Sequence, residues 1–325
     1  MVLMLTRADV MSVLQMDDCI DILEQAFTEF ANGTADLPLR IGITAPDGIN
    51  LYMPAYLKEM NALACKVVSV YKQNPQKHNL PTTIGKVLLQ DPATGDVLSI
   101  MDGGYLTAVR TGAVSGLATK FLARQGKEQI AAIFGAGVQA RMQLWAVCEA
   151  RDISRALVYD KVPETAKDFV ETMGAKLGIP IGIAETAAAM LEADIVCTAT
   201  SSPTPIFDGN KVKPGTHING IGSHSPGARE LDTAIIKRSL FIADSYEACL
   251  NEAGDIMLPI QEGAITAGHI HADLGEIVTG TKAARTSDEQ ITLFKSNGLA
   301  IQDSATALLV YRKAKAAGLG VEVEI

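Results

Sequence analysis

The sequence predicts an α/β chain, a doubly wound parallel sheet joined to a smaller α+β domain built from hairpin strands. Three observations predict it. From residue 130 to residue 243, short apolar, β-branched runs alternate with helical periods, and parallel neighbours need such crossover connections. Between residues 37 and 101 the runs instead follow one another with turn signals between them, as antiparallel hairpins do. Finally, 325 residues of which 48% are hydrophobic suffice to bury two cores.

In chain order, Ile20, Leu23, Ala26, Phe27 and Phe30 recur at helical spacing over 16–31, with Asp17 and Asp18 at the start and Asn32-Gly33 at the end. Strands are expected over 37–43, 51–53, 63–71, 84–90 and 97–101, the last two joined by the turn Asp91-Pro92-Ala93-Thr94-Gly95-Asp96. The proline-free stretch 105–123, rich in Ala, Leu and Thr, reads as a long helix closed by Gly126. Strands of the doubly wound region are expected over 130–134, 156–159, 179–183, 195–198, 217–221 and 240–243, with a further one over 291–294. Residues 299–317 read as a helix whose docking place periodicity does not fix. His217 and Asn219 read as structural, hydrogen-bonding between loops.

A formal net charge of −9 opposes binding to a phosphate backbone, so no nucleic-acid partner is expected. No apolar run approaches the roughly 18 residues of a membrane helix, and Arg7, Asp9, Asp17 and Asp18 break any signal-peptide core; a cytoplasmic protein without membrane attachment is expected. The five cysteines, Cys19, Cys65, Cys148, Cys197 and Cys249, form no C-x-x-C pair and read as reduced, buried small side chains. His78, His269 and His271 stand in no ligand-like group with carboxylates, and no catalytic metal is expected.

The strand over 130–134 runs into Gly135-Ala136-Gly137-Val138-Gln139-Ala140 and then a helix. In such a turn the first glycine permits the bend and the second lets the main chain approach a pyrophosphate. Ala140 lets helix and strand pack closely, and the helix N-terminus holds the anion. Twenty residues on, Asp160 ends the next strand, where a carboxylate accepts hydrogen bonds from ribose hydroxyls and repels a 2′-phosphate. This predicts a Rossmann domain for NAD, with NADP disfavoured although Lys161 softens the preference. The bland alternative is a tight turn with Asp160 capping the helix that begins at Pro163.

Strings spread along the chain, Met53-Pro54-Ala55, Pro81-Thr82, Met101-Asp102 through Arg110-Thr111-Gly112-Ala113, Ile218-Asn219-Gly220-Ile221-Gly222 with Glu230-Leu231-Asp232, and Gly298-Leu299-Ala300-Ile301-Gln302-Asp303, resemble the ornithine cyclodeaminase and mu-crystallin family. That family includes alanine dehydrogenases, cyclic ketimine reductases, ornithine and lysine cyclodeaminases and a hormone-binding crystallin. The resemblance implies a substrate-binding and dimerisation domain from 1–115 with 300–325, a Rossmann domain over 116–299, an active site in the cleft, and a homodimer formed through the N-terminal sheets. It implies Lys66 as the active-site lysine, Arg40 and Arg110 as cations for the substrate carboxylate, Arg110 also near the cofactor, Thr111 near the pyrophosphate and Thr82 near the nicotinamide. The chemistry is coherent. Arginine grips a carboxylate with a planar pair of donors, and a desolvated lysine exchanges protons near neutral pH. Read without the resemblance, Arg110 would be a surface cation, whereas Lys66 in the apolar run Ala62-Leu63-Ala64-Cys65-Lys66-Val67-Val68 calls for a role.

Two departures bear on the reaction. His224, in Ser223-His224-Ser225-Pro226, stands where the cyclodeaminases carry a catalytic aspartate, and Leu51 stands where they place an acid near the substrate amines. Both remove negative charge that a diamino acid would need. His224 either acts as an acid or base or only shapes the pocket and its own turn. The expected activity is therefore NAD(H)-dependent interconversion of a small L-amino acid with its imino or oxo acid, alanine with pyruvate or proline with 1-pyrroline-2-carboxylate. Ornithine cyclodeamination is the alternative, and a crystallin-like binder without turnover is the second.

Overall fold

The computed structural model describes residues 1–324, and the chain divides into two compact units, residues 1–110 with 299–325 and residues 111–298. The first opens with strand β1 (Val2–Leu5) and helices α1 (Arg7–Val13) and α2 (Met16–Ala31). Thr6 and Asp9 form a reciprocal capping box that starts α1. The apolar spacing of α2 buries Cys19, Ile20, Leu23, Ala26 and Phe27 on one face. Strands β2 (Ala35–Asp36), β3 (Ile41–Ala45), β4 (Gly48–Leu57) and β5 (Ala62–Val70) follow, then the short helix α3 (Asn74–Lys77), β6 (Thr83–Gln90), β7 (Val97–Asp102) and the long helix α4 (Gly103–Leu122), which belongs to the first unit as far as Arg110 and to the second from Thr111.

One expectation fails here. Residues 37–43 are not a single strand: β2 ends at Asp36, β3 begins at Ile41, and Leu37 to Arg40 lie between them. Pro38, lacking an N–H, cannot donate to a ladder, so the segment leaves the sheet and carries Arg40 with it. Strands β4, β5, β6 and β7 pair antiparallel in sequence, as hairpins should, while β1 joins β7 in parallel. The period-2 alternation of β5 puts Ala62, Ala64, Lys66 and Val68 on the buried face and leaves Val67 outward.

The second unit runs through β8 (Gln129–Phe134), α5 (Val138–Ala150), β9 (Ile153–Tyr159), α6 (Pro163–Leu177), β10 (Ile181–Ile183), β11 (Ile195–Thr198), β12 (His217–Gly220), α7 (Thr233–Arg238), β13 (Ser239–Ala243), α8 (Tyr246–Glu252), α9 (Gly254–Gln261), β14 (Ile270–Asp273), α10 (Leu274–Val278) and β15 (Ile291–Lys295). Its strands are ordered β10-β9-β8-β11-β12-β15-β13-β14 and all pairs are parallel. This is the doubly wound sheet that the strand–helix alternation predicts. Strand β15 takes an interior place between β12 and β13 although it follows both in the chain, and its all-buried run Ile-Thr-Leu-Phe-Lys suits that place. Phe134, Val196, Ile218, Leu231, Ile235, Phe241 and Leu293 belong to the core of this unit.

Helix α11 (Ala300–Ala316) returns to the first unit, where it packs on α2, β4 and β5. Strand β16 (Val321–Val323) pairs with β1, completing a sheet ordered β16-β1-β7-β6-β5-β4-β2 with β3 on β4. Among the described residues no helix is long and apolar enough to cross a membrane, and no group of His, Cys, Asp or Glu side chains could hold a metal ion. Cys19, Cys197 and Cys249 are buried as expected, whereas Cys65 and Cys148 are only half-buried.

Candidate functional site

Two clusters of polar groups stand out, one in each unit. In the first, Lys66 lies on the inner face of β5 opposite Met53 of β4 and Val87 of β6, an apolar frame that offers its ammonium nothing. The partner comes from α11: Asp303 Oδ2 is 2.7 Å from Lys66 Nζ. Its other oxygen, Oδ1, accepts from Arg110 Nε of α4 at 3.0 Å, and Arg110 Nη1 donates to Gln302 Oε1. Lys66, Arg110 and Asp303 are 2%, 5% and 1% exposed, so the three charges face each other with almost no water to screen them. Burial, reinforced by the Arg110 cation, lowers Lys66 to about 8, with Asp303 opposing and Arg40 adding to the fall. Arg40 and Thr82 are half-buried, the latter accepting the Tyr71 N–H through its carbonyl at 2.8 Å. Leu51 occupies the inner face of β4 beside Met53, opposite Val68.

In the second unit the glycine turn follows β8. Gly135 has φ +93°, and a Cβ there would meet the Ala199 carbonyl oxygen at 2.6 Å, so the fold itself demands glycine. Gly137 differs. As the N-cap of α5 its φ of −76° suits any residue, and a Cβ would meet nothing within 4 Å. A glycine that the chain's own packing does not require is what close approach of a ligand would require. Among the described residues no side chain caps the start of α5, leaving the amides of its first turn as donors, and Val138 is exposed there. Gln139 Oε1 is buried without a hydrogen-bond partner among the described residues.

Asp160, at the end of β9, accepts from the Ala136 N–H at 2.9 Å and from the Val162 N–H at 2.8 Å. It is not the N-cap of α6, which is Val162; it ties the glycine turn to the second strand end. A carboxylate has lone pairs enough to accept ribose hydroxyls as well. The residues present therefore fit a dinucleotide: amide donors for its pyrophosphate, a clearance at Gly137, and an acid for the ribose.

Beyond the strand ends, Glu230 is fully buried and accepts from Thr198 Oγ1, Thr200 N, Thr200 Oγ1 and Gly222 N at 2.8, 2.7, 2.6 and 2.7 Å. It thereby joins the loops that follow β11 and β12. Lys295, at the end of β15, pairs with Asp255 at 3.0 Å and donates to the Ser223 carbonyl. Burial alone would lower Lys295, but the Asp255 and Glu230 carboxylates outweigh it and raise its pKa. His224 projects from this braced loop, exposed, with Nδ1 3.2 Å from the Gly222 carbonyl. A carbonyl only accepts, so Nδ1 carries the proton in that contact.

Of the residues singled out in the sequence, Lys66 and Arg110 are thus joined through Asp303, with Arg40 near enough for its charge to act on Lys66. Gly135 to Gln139 and Asp160 are joined by the Ala136 bond. Thr111 is buried on α4 in the second unit, its carbonyl accepting from Gln143 Nε2 at 3.1 Å. Arg110 is no surface cation, because Asp303 and Gln302 compensate its burial. His217 and Asn219 are structural but do not link loops: His217 Nδ1 lies 2.9 Å from Thr292 Oγ1 of β15, and Asn219 Nδ2 donates to Thr119 Oγ1 of α4 at 3.0 Å. Asp303, Gln302 and Glu230 were missed as individual groups. For Gln302 and Asp303 the one trace is polarity between apolar neighbours in Ala300-Ile301-Gln302-Asp303-Ser304-Ala305, which the start of a helix makes ordinary; Glu230, in Ala228-Arg229-Glu230-Leu231-Asp232, has no such trace.

Comparison with known proteins identifies the family of the chain. The sequence pattern of the ornithine cyclodeaminase/mu-crystallin family matches residues 1–318. A Δ1-pyrroline-2-carboxylate reductase of Bacillus cereus is 39% identical over 316 residues, 96% of either chain. The solved Δ1-pyrroline-2-carboxylate reductase of Thermococcus litoralis, in complex with NADH and L-proline, superposes with a TM-score of 0.95 at 49% identity, covering 99% of this chain and all of that one. An archaeal alanine dehydrogenase dimer with bound NAD gives a TM-score of 0.93 at 36% identity, covering 99% of each chain. With the match spanning nearly the whole length, and with the glycine turn and the buried lysine in place, the chain belongs to the ornithine cyclodeaminase/mu-crystallin family.

Proposed function

We propose that this protein is an NADH-dependent reductase of small cyclic 2-imino acids, with Δ1-pyrroline-2-carboxylate and L-proline as the principal pair. The observation that carries the reading is the Lys66–Asp303–Arg110 cluster, a buried proton carrier beside a cation for a carboxylate. The similarity to a reductase solved with NADH and L-proline supports the choice of substrate. NADH, when bound, supplies the hydride that reduces the imine carbon.

The chain's own residues do the rest. Arg110 and Arg40 hold the substrate carboxylate, opposing its charge with planar donors. Lys66 gives a proton from Nζ to the substrate nitrogen, the N–H electron pair returning to Nζ. The balance is then one imine, one NADH and one proton to one amine and NAD. On this reading Thr82 contacts the nicotinamide, Thr111, Gly135, Ala136, Gly137, Val138 and Gln139 line the pyrophosphate, and Asp160 accepts from the adenosine ribose, which favours NAD over NADP. His224 serves as a second acid or base on the loop braced by Glu230 and Lys295.

Cyclodeamination is disfavoured, because Leu51 and His224 are not anionic and the buried carboxylate of Asp303 is already matched to two cations. A homodimer in the cytoplasm completes the proposal; unpaired cysteines suit a reducing compartment. The test is an NADH-oxidation screen of pyruvate with ammonia or methylamine against five- and six-membered cyclic imino acids. The five-membered imine is expected to give the highest kcat/KM. Conversion of ornithine to proline and ammonia without net NADH change would sink the reading.

A further inference from the structure

Asp303 is a buried anion set between two buried cations that come from different elements, Lys66 from β5 and Arg110 from α4. Its two oxygens are divided between them, Oδ2 at 2.7 Å from Lys66 Nζ and Oδ1 at 3.0 Å from Arg110 Nε. Gln302, the preceding residue on α11, takes a second donor of Arg110, which fixes the guanidinium plane from the same helix. The strands flanking Lys66 present Met53 and Val87, which hold nothing charged. The other ionisable groups about the cluster are Arg40, before β3, and the thiols of Cys19 and Cys65; burial pushes both thiols up, so they are neutral near pH 8. Without Asp303 the charges that act most on the buried Lys66 are Arg110 and Arg40, both of its own sign.

We propose that Asp303 is a positioning residue for imine reduction: its shared carboxylate holds the Lys66 ammonium and the Arg110 guanidinium in fixed relation, one to hand over a proton and the other to grip the substrate carboxylate. The inference rests on the proposed role of Lys66. Asp303 touches neither the reacting carbon nor the cofactor in this account; it acts through Lys66, by keeping Nζ charged against desolvation and aimed along one direction. The carboxylate is among the influences that raise the Lys66 pKa against burial and Arg110. A group that merely stabilised the fold would leave that titration where it was.

The experiment uses the full-length protein labelled with [13C]lysine, the Lys66 Cε resonance being assigned by its loss in Lys66→Gln, together with pH profiles of kcat/KM for the five-membered imine. The wild-type resonance is expected to titrate near 8. In Asp303→Asn its midpoint should fall by about one to three units, and the basic limb of the kinetic profile should fall with it, while NADH affinity stays within about twofold. Asp303→Glu covers the case in which the Asn variant does not fold. It keeps the charge but moves it by a methylene, so the midpoint should stay within about half a unit of wild type while kcat falls at least about tenfold. An unmoved midpoint in Asp303→Asn, or wild-type kcat in Asp303→Glu, would overturn the proposal. Absence of imine reduction by the wild-type protein would overturn the proposed function instead, and the titration, which needs no turnover, tells the two failures apart.

Discussion

Lys66 carries the sharpest expectation at the scale of single residues. Its ammonium is the donor in reduction, and the donor form exists below its pKa of about 8. As pH rises through that value the protonated fraction falls, so kcat/KM for imine reduction should decline above about pH 8 while oxidation of the amino acid gains. Lys66→Met should lower reductive kcat/KM by about 10²- to 10⁴-fold with NADH affinity unchanged; initial rates and fluorescence titration of NADH check both, and near-wild-type turnover would remove Lys66 from the mechanism. Asp160 carries the cofactor preference. Asp160→Ser removes the charge that opposes a 2′-phosphate but also weakens the bond to the Ala136 N–H, so KM for NADH should rise about 5- to 100-fold and the ratio of NADPH to NADH turnover should increase. An unchanged ratio would show that discrimination lies elsewhere. The lysine was legible in the sequence because a charge in an apolar strand advertises its cost. Asp303 was not, because an acid near the start of a helix is ordinary there, and only the tertiary partner reveals that it is buried.

Among elements, the strand–turn–helix from β8 to α5 separates two reasons for a glycine. Gly135 answers to the fold, through its left-handed φ and the Ala199 carbonyl behind it, whereas a Cβ at Gly137 would meet nothing within 4 Å among the described residues. Gly135→Val should therefore destabilise the protein by several kcal/mol, the joint effect of strain and a backbone clash. Gly137→Val should keep the melting temperature within a few degrees and still weaken NADH binding by at least about tenfold. Thermal melts beside NADH titrations of the two variants decide it, and equal effects on stability would erase the distinction. The turn was readable from the sequence since its period, glycines and distal acid all lie within one stretch of chain. The place of β15 was not, because its register with β12 and β13 joins segments more than 45 residues apart and its apolar run fits any interior position. Pro38 split a predicted strand for a local reason that hydrophobic content had masked.

For the whole molecule, the proposed homodimer has its candidate surface on the outward face of the first unit's sheet. Ile41, Tyr52 and Val67 stand in one cross-strand row over β3, β4 and β5, and Ile43 lies beside it; their exposures are 60%, 37%, 41% and 53%. Strand alternation accounts for the row, since each residue is one step out of phase with the buried face that holds Met53 and Lys66. A contiguous apolar row on a sheet face marks an interaction surface more than a monomer's skin, and burying each large aliphatic side chain is worth about 1.5–3 kcal/mol. A two-fold partner would bring the same row onto itself, in keeping with the dimeric archaeal relative. The sequence showed the apolar residues but not which face a partner covers, because alternation gives phase without saying which side the helices take. Ile41→Glu with Val67→Glu should convert a dimer to a monomer at micromolar concentration, since like charges would meet across the axis, while the circular dichroism of the fold is retained. Sedimentation equilibrium reads the outcome directly: a wild-type monomer, or a double variant that still sediments as a dimer, would mean that this face stays solvated and that assembly, if any, uses another surface.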